Sequence, residues 1–178
     1  MARGCAWQMV CNANLPSISN VMSTDHEFLR HAIRIAQKHM ELGHGGPFGA
    51  VVVSEAGEIF EGWNQVTTSP DPTAHAEVVA IRKAAAGLGH YSLKGCTLYA
   101  SCEPCPMCLA ASYWARLDRV VFAATRHDAA LAGFDDEVLY QELALPVAGR
   151  SLPMQSMLQD EAGVVFDQWR DKADKVPY

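Results

Sequence analysis

The sequence predicts an α/β domain, with a mixed sheet covered by helices on both faces. Three observations predict it. Stretches with apolar residues at helical spacing alternate with short, valine-rich apolar runs of strand length. Glycine and proline clusters punctuate the boundaries between them. The chain has 178 residues, 49% hydrophobic and 19% charged, which suits one domain with a substantial core and no disordered composition.

The elements follow in order. Residues 1–22 show no periodicity and are expected to be an extension without function, leaving 23–178 as the domain. Ser23, Thr24 and Asp25 offer a helix cap. Phe28, Leu29, Ala32, Ile33, Ile35, Ala36 and Met40 then recur at helical spacing until Gly43-His44-Gly45-Gly46-Pro47 stops the pattern. Phe48 to Val53 and Glu58 to Trp63 read as two strands, joined at Glu55-Ala56-Gly57 into a hairpin. Asp71-Pro72 opens a helix through about Gly87, with proline suited to the first helical position. Thr97 to Ser101 is a strand, Pro106 to Arg116 a helix, and Arg119 to Thr125 a fourth strand. The C-terminal third is helical, with one more strand expected at Met154 to Leu158 and a last helix at Val164 to Lys172.

Charge and composition narrow the partners. The formal net charge is −6, with 14 Lys and Arg scattered among 20 acids. Binding a phosphate backbone demands a basic face, so a small neutral substrate fits better than nucleic acid. No stretch approaches the apolar length of a membrane span, and Met1 to Asn20 lacks the features of a secretory signal, so a cytoplasmic protein is expected. In that setting Cys102, Cys105 and Cys108, three of six cysteines, read as a metal or redox cluster rather than a disulfide framework.

The chemistry gathers at two junctions leading into helices. The first reads Pro72-Thr73-Ala74-His75-Ala76-Glu77, the second Cys102-Glu103-Pro104-Cys105-Pro106-Met107-Cys108. Cys105 and Cys108 are three apart at a helix start, so both sulfurs can face one point, and helix N-termini favour thiolates. Two thiolates and an imidazole suit Zn²⁺ and leave its fourth tetrahedral position for water. Glu77, two residues from His75, would not share its helical face as a ligand; a distorted first turn would place it for general acid–base work.

His75-Ala76-Glu77 with Pro104-Cys105-Pro106-Met107-Cys108 resembles the H-x-E and P-C-x-x-C pattern of the zinc nucleobase deaminases, the cytidine/deoxycytidylate deaminase-like family. Its fold is a three-layer α/β/α sandwich around a mixed sheet of about five strands. The resemblance implies one Zn²⁺ held by His75, Cys105 and Cys108, with Glu77 catalytic. From about Asp25 onward, further segments are similar to the bacterial guanine deaminases of this fold. These are Gly45 to Ala50, Asn64 with Val66-Thr67-Thr68, Tyr113-Trp114-Ala115-Arg116, and Ala132-Gly133-Phe134-Asp135-Asp136. That likeness implies a guanine pocket in which Phe48 and Trp114 stack on the base, Asn64 and Ala76 contribute to its binding, and Asp136 accepts from ring N–H groups. Tyr178 would close the pocket from a C-terminal segment, exchanged between the subunits of a homodimer. It also implies a hydrolytic route to xanthine and ammonia, with Glu77 moving the protons.

Other readings stand beside these. His75 with all three cysteines would make a closed structural zinc site, although a domain of this size needs no such staple. Cys102 and Cys105 have redox spacing, but that would leave His75 and Glu77 unexplained. Phe48 and Trp114 have the character of core aromatics, Asp135 and Asp136 that of turn or cap residues, and the remaining histidines that of surface or structural groups. Isocytosine, ammeline or guanosine remain as substrates, as does a tRNA anticodon, and so does a non-catalytic zinc module.

Overall fold

The computed structural model describes residues 18–177. Its elements are α1 (Ile18–Glu41), β1 (Gly49–Val53), β2 (Ile59–Trp63), α2 (Ala76–Leu88), β3 (Thr97–Cys102), α3 (Pro106–Trp114), β4 (Arg119–Ala124), α4 (Arg126–Leu131), α5 (Glu137–Ala144) and α6 (Gln159–Asp171). The sheet runs β2-β1-β3-β4. β1 is antiparallel to both β2 and β3, and β4 is parallel to β3. The sheet is mixed, as the element order predicts.

Alternation in β1 divides the core. Ala50 and Val52 face a cluster with Ala76, Ala80 and Ala84 of α2 and Leu98 of β3. Val51 and Val53 face Ala32 and Ile35 of α1 together with Tyr99. Successive strand side chains point to opposite faces, so a strand between two helical layers reads as an unbroken apolar run. All five residues of β1 are buried.

Small residues bring α2 close to the sheet. A Cβ on Gly62 would lie 2.1 Å from the Ala76 carbonyl oxygen, so only glycine lets the first turn of α2 rest on β2. That contact sets the height of the helix end carrying His75 and Glu77.

Several sequence expectations shift. The first helix starts at Ile18, ahead of the Ser23-Thr24-Asp25 cap signal; serine and threonine are tolerable helix residues, so the chain need not stop there. The second helix starts at Ala76 rather than Asp71. Asp71 Oδ1 accepts from the Thr73 backbone N–H at 2.8 Å and its hydroxyl at 2.7 Å, closing a side-chain turn that delays the helix. α3 ends at Trp114, with Arg116 left-handed at φ 57°. The sheet has four strands among the described residues, not about five, because Met154 to Leu158 pairs with no strand.

The last helix stands apart. α6 packs substantially against no other helix or strand of the described residues. Val164, Val165, Phe166 and Trp169 on it are exposed, as are Leu152, Met157 and Leu158 before it. Among the described residues no helix is long and apolar enough to cross a membrane.

Candidate active site and metal centre

The two junctions meet. His75 caps α2 in an extended conformation (φ −67°, ψ 153°), and Cys105 caps α3 the same way (φ −62°, ψ 168°), with Pro106 starting the helix. Neither cap side chain bonds to its own helix, so both are free to turn toward a common point. His75 Nδ1 lies 3.6 Å from Cys105 Sγ and 3.5 Å from Cys108 Sγ. A tetrahedral ion with Zn–S of about 2.3 Å and Zn–N of about 2.0–2.1 Å separates sulfur from nitrogen by about 3.6 Å. The donor set therefore has the identity and the spacing for zinc, and these three form the metal-competent group among the described residues.

Electrostatics agree. The Cys108 thiol hydrogen-bonds the Cys105 sulfur, which with His75 beside it holds Cys105 down to about 4, well below an ordinary thiol. Cys108 is pushed up for the same reason, with burial adding. Two thiols this close share one negative charge until a divalent cation favours both thiolates. His75 is raised, chiefly by its bond with Cys105.

Cys102 does not join them. Its thiol points to the Thr125 carbonyl at 3.5 Å, and burial raises it to about 11. A closed site of one histidine and three cysteines is not assembled, which leaves room at the metal group for a fourth, exchangeable ligand.

Glu77 sits in the first turn of α2 and is only 7% exposed. Burial raises its carboxyl above the usual range, with the Cys105 sulfur adding to the shift. A carboxyl so placed holds a proton more readily than an exposed one, which suits it to proton transfer.

These groups open into a cavity of about 270 Å³, whose wall also includes Phe48, Asn64, Glu103, Arg126, Phe134, Asp135 and Asp136. Asn64 is buried just past β2. Its side-chain oxygen accepts from the backbone N–H groups of Gly46 (3.4 Å) and Val66 (3.3 Å), so its NH₂ is the group left to face a ligand. Asp136 caps no backbone group of α5. Its neighbour Asp135 is occupied as a turn residue, accepting from Glu137 N at 3.0 Å. Burial raises the Asp136 carboxyl, with the Cys105 sulfur adding. Phe48 meets Phe134 edge to face at 4.9 Å.

The other sequence-predicted site residues lie elsewhere. The Ala76 side chain is fully buried in the core, so only its backbone could reach a ligand. Trp114 is 67% exposed at the end of α3 and does not line its own chain's cavity. Tyr178 lies outside the described residues. Phe134, Glu103 and Arg126 had no assigned role. Phe134 lies within Ala132-Gly133-Phe134-Asp135-Asp136 and Glu103 within the second motif, but nothing in the sequence marks Arg126. Its backbone N–H donates to Glu103 at 3.0 Å, and its guanidinium sits 4.5 Å from the Tyr140 ring centre and 3.6 Å from Glu137.

Comparison with known proteins agrees with this geometry. A guanine deaminase from Bacillus subtilis is 52% identical over 155 residues, covering 86% of this chain and 99% of its own. The crystal structure of a B. subtilis guanine deaminase superposes with a TM-score of 0.83 at 51% identity, over 86% of this chain and 98% of that one. A tRNA-specific adenosine deaminase from Haemophilus influenzae is 41% identical over 118 residues, 63% of this chain and 68% of its own. Residues 22–124 match the model for the cytidine and deoxycytidylate deaminase zinc-binding region. That match takes in both junctions and every ligand of the metal group, and the chain is a member of the cytidine and deoxycytidylate deaminase zinc-binding family.

Proposed function

We propose that this chain catalyses the hydrolytic deamination of guanine to xanthine and ammonia. The observation that carries the proposal is the pairing in one small cavity of a free Asn64 NH₂ donor with an Asp136 carboxylate acceptor, facing the metal group and Glu77. Guanine offers a carbonyl and bare ring nitrogens to the first and N–H groups to the second. The likeness to a guanine deaminase over nearly that protein's whole length supports the same reading.

A zinc ion on His75, Cys105 and Cys108 supplies a Lewis acid that lowers the pKa of water toward about 7. Glu77 takes the proton of the attacking water and passes it to the ring nitrogen beside C2. Water oxygen bonds to C2; the carboxyl, raised by burial, then takes the proton left on that oxygen and delivers it to the C2 amine, so the C2 carbonyl forms as the C–N bond breaks and ammonia leaves. Transfer of this kind contributes about 10²–10⁴-fold. Phe48 supplies an apolar ring face, and Asn64 and Asp136 fix the base's orientation.

A second copy of the chain completes the site in this proposal, with its Trp114 and Tyr178 closing over the base. The exposed apolar face of α6 and the exposure of Trp114 support it. So does the tail: the Pro177 carbonyl accepts from the Tyr91 hydroxyl at 2.8 Å, just past the far end of α2, a helix of 13 residues and so about 20 Å long. A cytoplasmic setting and a role in purine breakdown belong to the same reading.

The test is ammonia release from guanine, guanosine, isocytosine, adenine, cytosine and a tRNA transcript. Guanine is expected to turn over fastest, and Asp136→Asn to raise its KM while Asp135→Asn changes little. No release from guanine beside rapid release from another substrate overturns the assignment. For the dimer, co-expressing a Glu77→Gln chain with one lacking Tyr178 should restore activity that neither has alone.

A further inference from the structure

We propose that His39 and His44 are positioning residues, whose ring-to-ring latch holds the loop before β1 against the end of β2 and so keeps Asn64 and Phe48 aimed into the cavity. The inference rests on the functional reading above only through those two substrate contacts.

Three observations converge. His39, near the end of α1, and His44, in the following turn, face each other with their Nδ1 atoms 3.0 Å apart. The His39 ring also lies flat on Trp63, centroids 3.8 Å apart and planes within 8°. Trp63 is the last residue of β2 and immediately precedes Asn64. One imidazole thus grips both segments that carry the pocket contacts.

The loop past His44 transmits that grip. The Thr68 hydroxyl donates to the His44 carbonyl at 3.0 Å. Gly45 adopts φ 152°, and a Cβ there would lie 2.0 Å from the Asn64 carbonyl oxygen. The Gly46 N–H donates to Asn64 Oδ1 at 3.4 Å, and the Asn64 N–H donates to the Phe48 carbonyl at 3.1 Å. If the His44 end lifts, Asn64 loses one of the donors that turn its NH₂ inward.

The latch has a proton requirement. Two Nδ1 atoms at this distance need one proton between them; with a proton on each, donor faces donor, and when both rings are cations like charges meet as well. The surroundings discourage the second proton. Burial holds His39 below its ordinary value, with His44, Lys38 on α1 and Lys83 on α2 adding to the effect and Glu61 on β2 opposing it. Lys83 itself stands 4.4 Å from the Trp63 ring centre, and Glu61 already pairs with His31 at 2.6 Å.

The test compares wild type with His44→Ala and His44→Asn. Losing one hydrogen bond's worth of ordering is expected to raise the guanine KM of His44→Ala about 3- to 10-fold at pH 7.5, with kcat within about twofold. Wild-type KM should rise on acidification, as a further proton reaches the pair. His44→Asn should keep the neutral-pH KM and lose that acid rise, because an amide oxygen accepts from His39 whether or not the ring is charged. Histidine ¹H–¹⁵N spectra give a readout independent of turnover: in His44→Ala the His39 titration moves to higher pH than in wild type. A His39 titration left unmoved in His44→Ala, or an unchanged KM and pH profile in that variant, overturns the proposal. An equal loss of kcat and zinc reduces the pair to fold support and overturns it as well. That shift of the His39 titration without guanine turnover would count against the substrate and leave the latch standing.

Discussion

Gly62→Ala tests whether the close seating of α2 on the sheet sets the reactive geometry. The added Cβ would lie 2.1 Å from the Ala76 carbonyl oxygen, 2.6 Å from Ala80 N and 3.0 Å from Ala80 Cβ. Ordinary carbon–oxygen approach is about 3.3 Å or more, so backbone must give by about 1 Å. No flexible side chain is there to yield, and the part that moves is the helix end whose cap is His75 and whose first turn holds Glu77. Overpacking of this kind costs about 1–3 kcal/mol, which in a chain of this size lowers Tm by about 2–12 °C. A displacement of about 1 Å at reacting groups costs about 10²-fold in rate. The expected result is therefore a fall of about 10²-fold in kcat/KM together with weaker zinc retention, read by ammonia release and metal stoichiometry. Gly57→Ala is the control. Gly57 sits in the β1–β2 turn at φ 84° with nothing near its Cβ position, so alanine there should cost about 1–2 kcal/mol of backbone strain and leave zinc and turnover intact. Full activity and an unchanged Tm in Gly62→Ala would refute the argument that the helix seat positions the site.

Two other outcomes follow from the geometry. Cys102→Ser should keep one zinc per chain, whereas Cys105→Ser or Cys108→Ser should lose it; equal loss in all three, measured by metal analysis after dialysis, would put Cys102 back among the ligands. Tyr99 is raised to about 12 by burial and by donating its hydroxyl to Asp25 at 2.7 Å. A group raised on folding contributes stability that is whole below its unfolded value, near 10, and is lost as pH climbs through the folded one. Tyr99→Phe should therefore flatten the fall in stability between about pH 10 and pH 12, and a slope like wild type in alkaline denaturation would contradict the assignment.

What could be read from the chain alone was local in sequence. The zinc ligands were legible because each motif lies within one short stretch leading into a helix, where spacing alone decides which side chains share a direction. The strands of the sheet were legible because period and length survive in any context; all of β1 is buried, and an unbroken apolar run is how such a strand reads. Local signals failed where a neighbour intervened. Asp71 turned its side chain onto Thr73 and postponed α2, and Met154 to Leu158 had strand character but no strand beside it.

The tertiary structure decided what only convergence decides. Cys102, Cys105 and Cys108 are interchangeable on spacing, and it was the direction of the Cys102 thiol toward Thr125 that removed it from the metal group. Asp135 and Asp136 are adjacent and alike, and folding brings both to the cavity wall, with one Asp135 oxygen taken up by the Glu137 N–H. Arg126 and Phe134 reached that cavity from beyond β4, far along the chain from His75. Sequence determines the chemistry available at a short motif because bonds and helical pitch carry it. Which distant groups face that motif depends on strand register and helix seating, and these are properties of the packed whole.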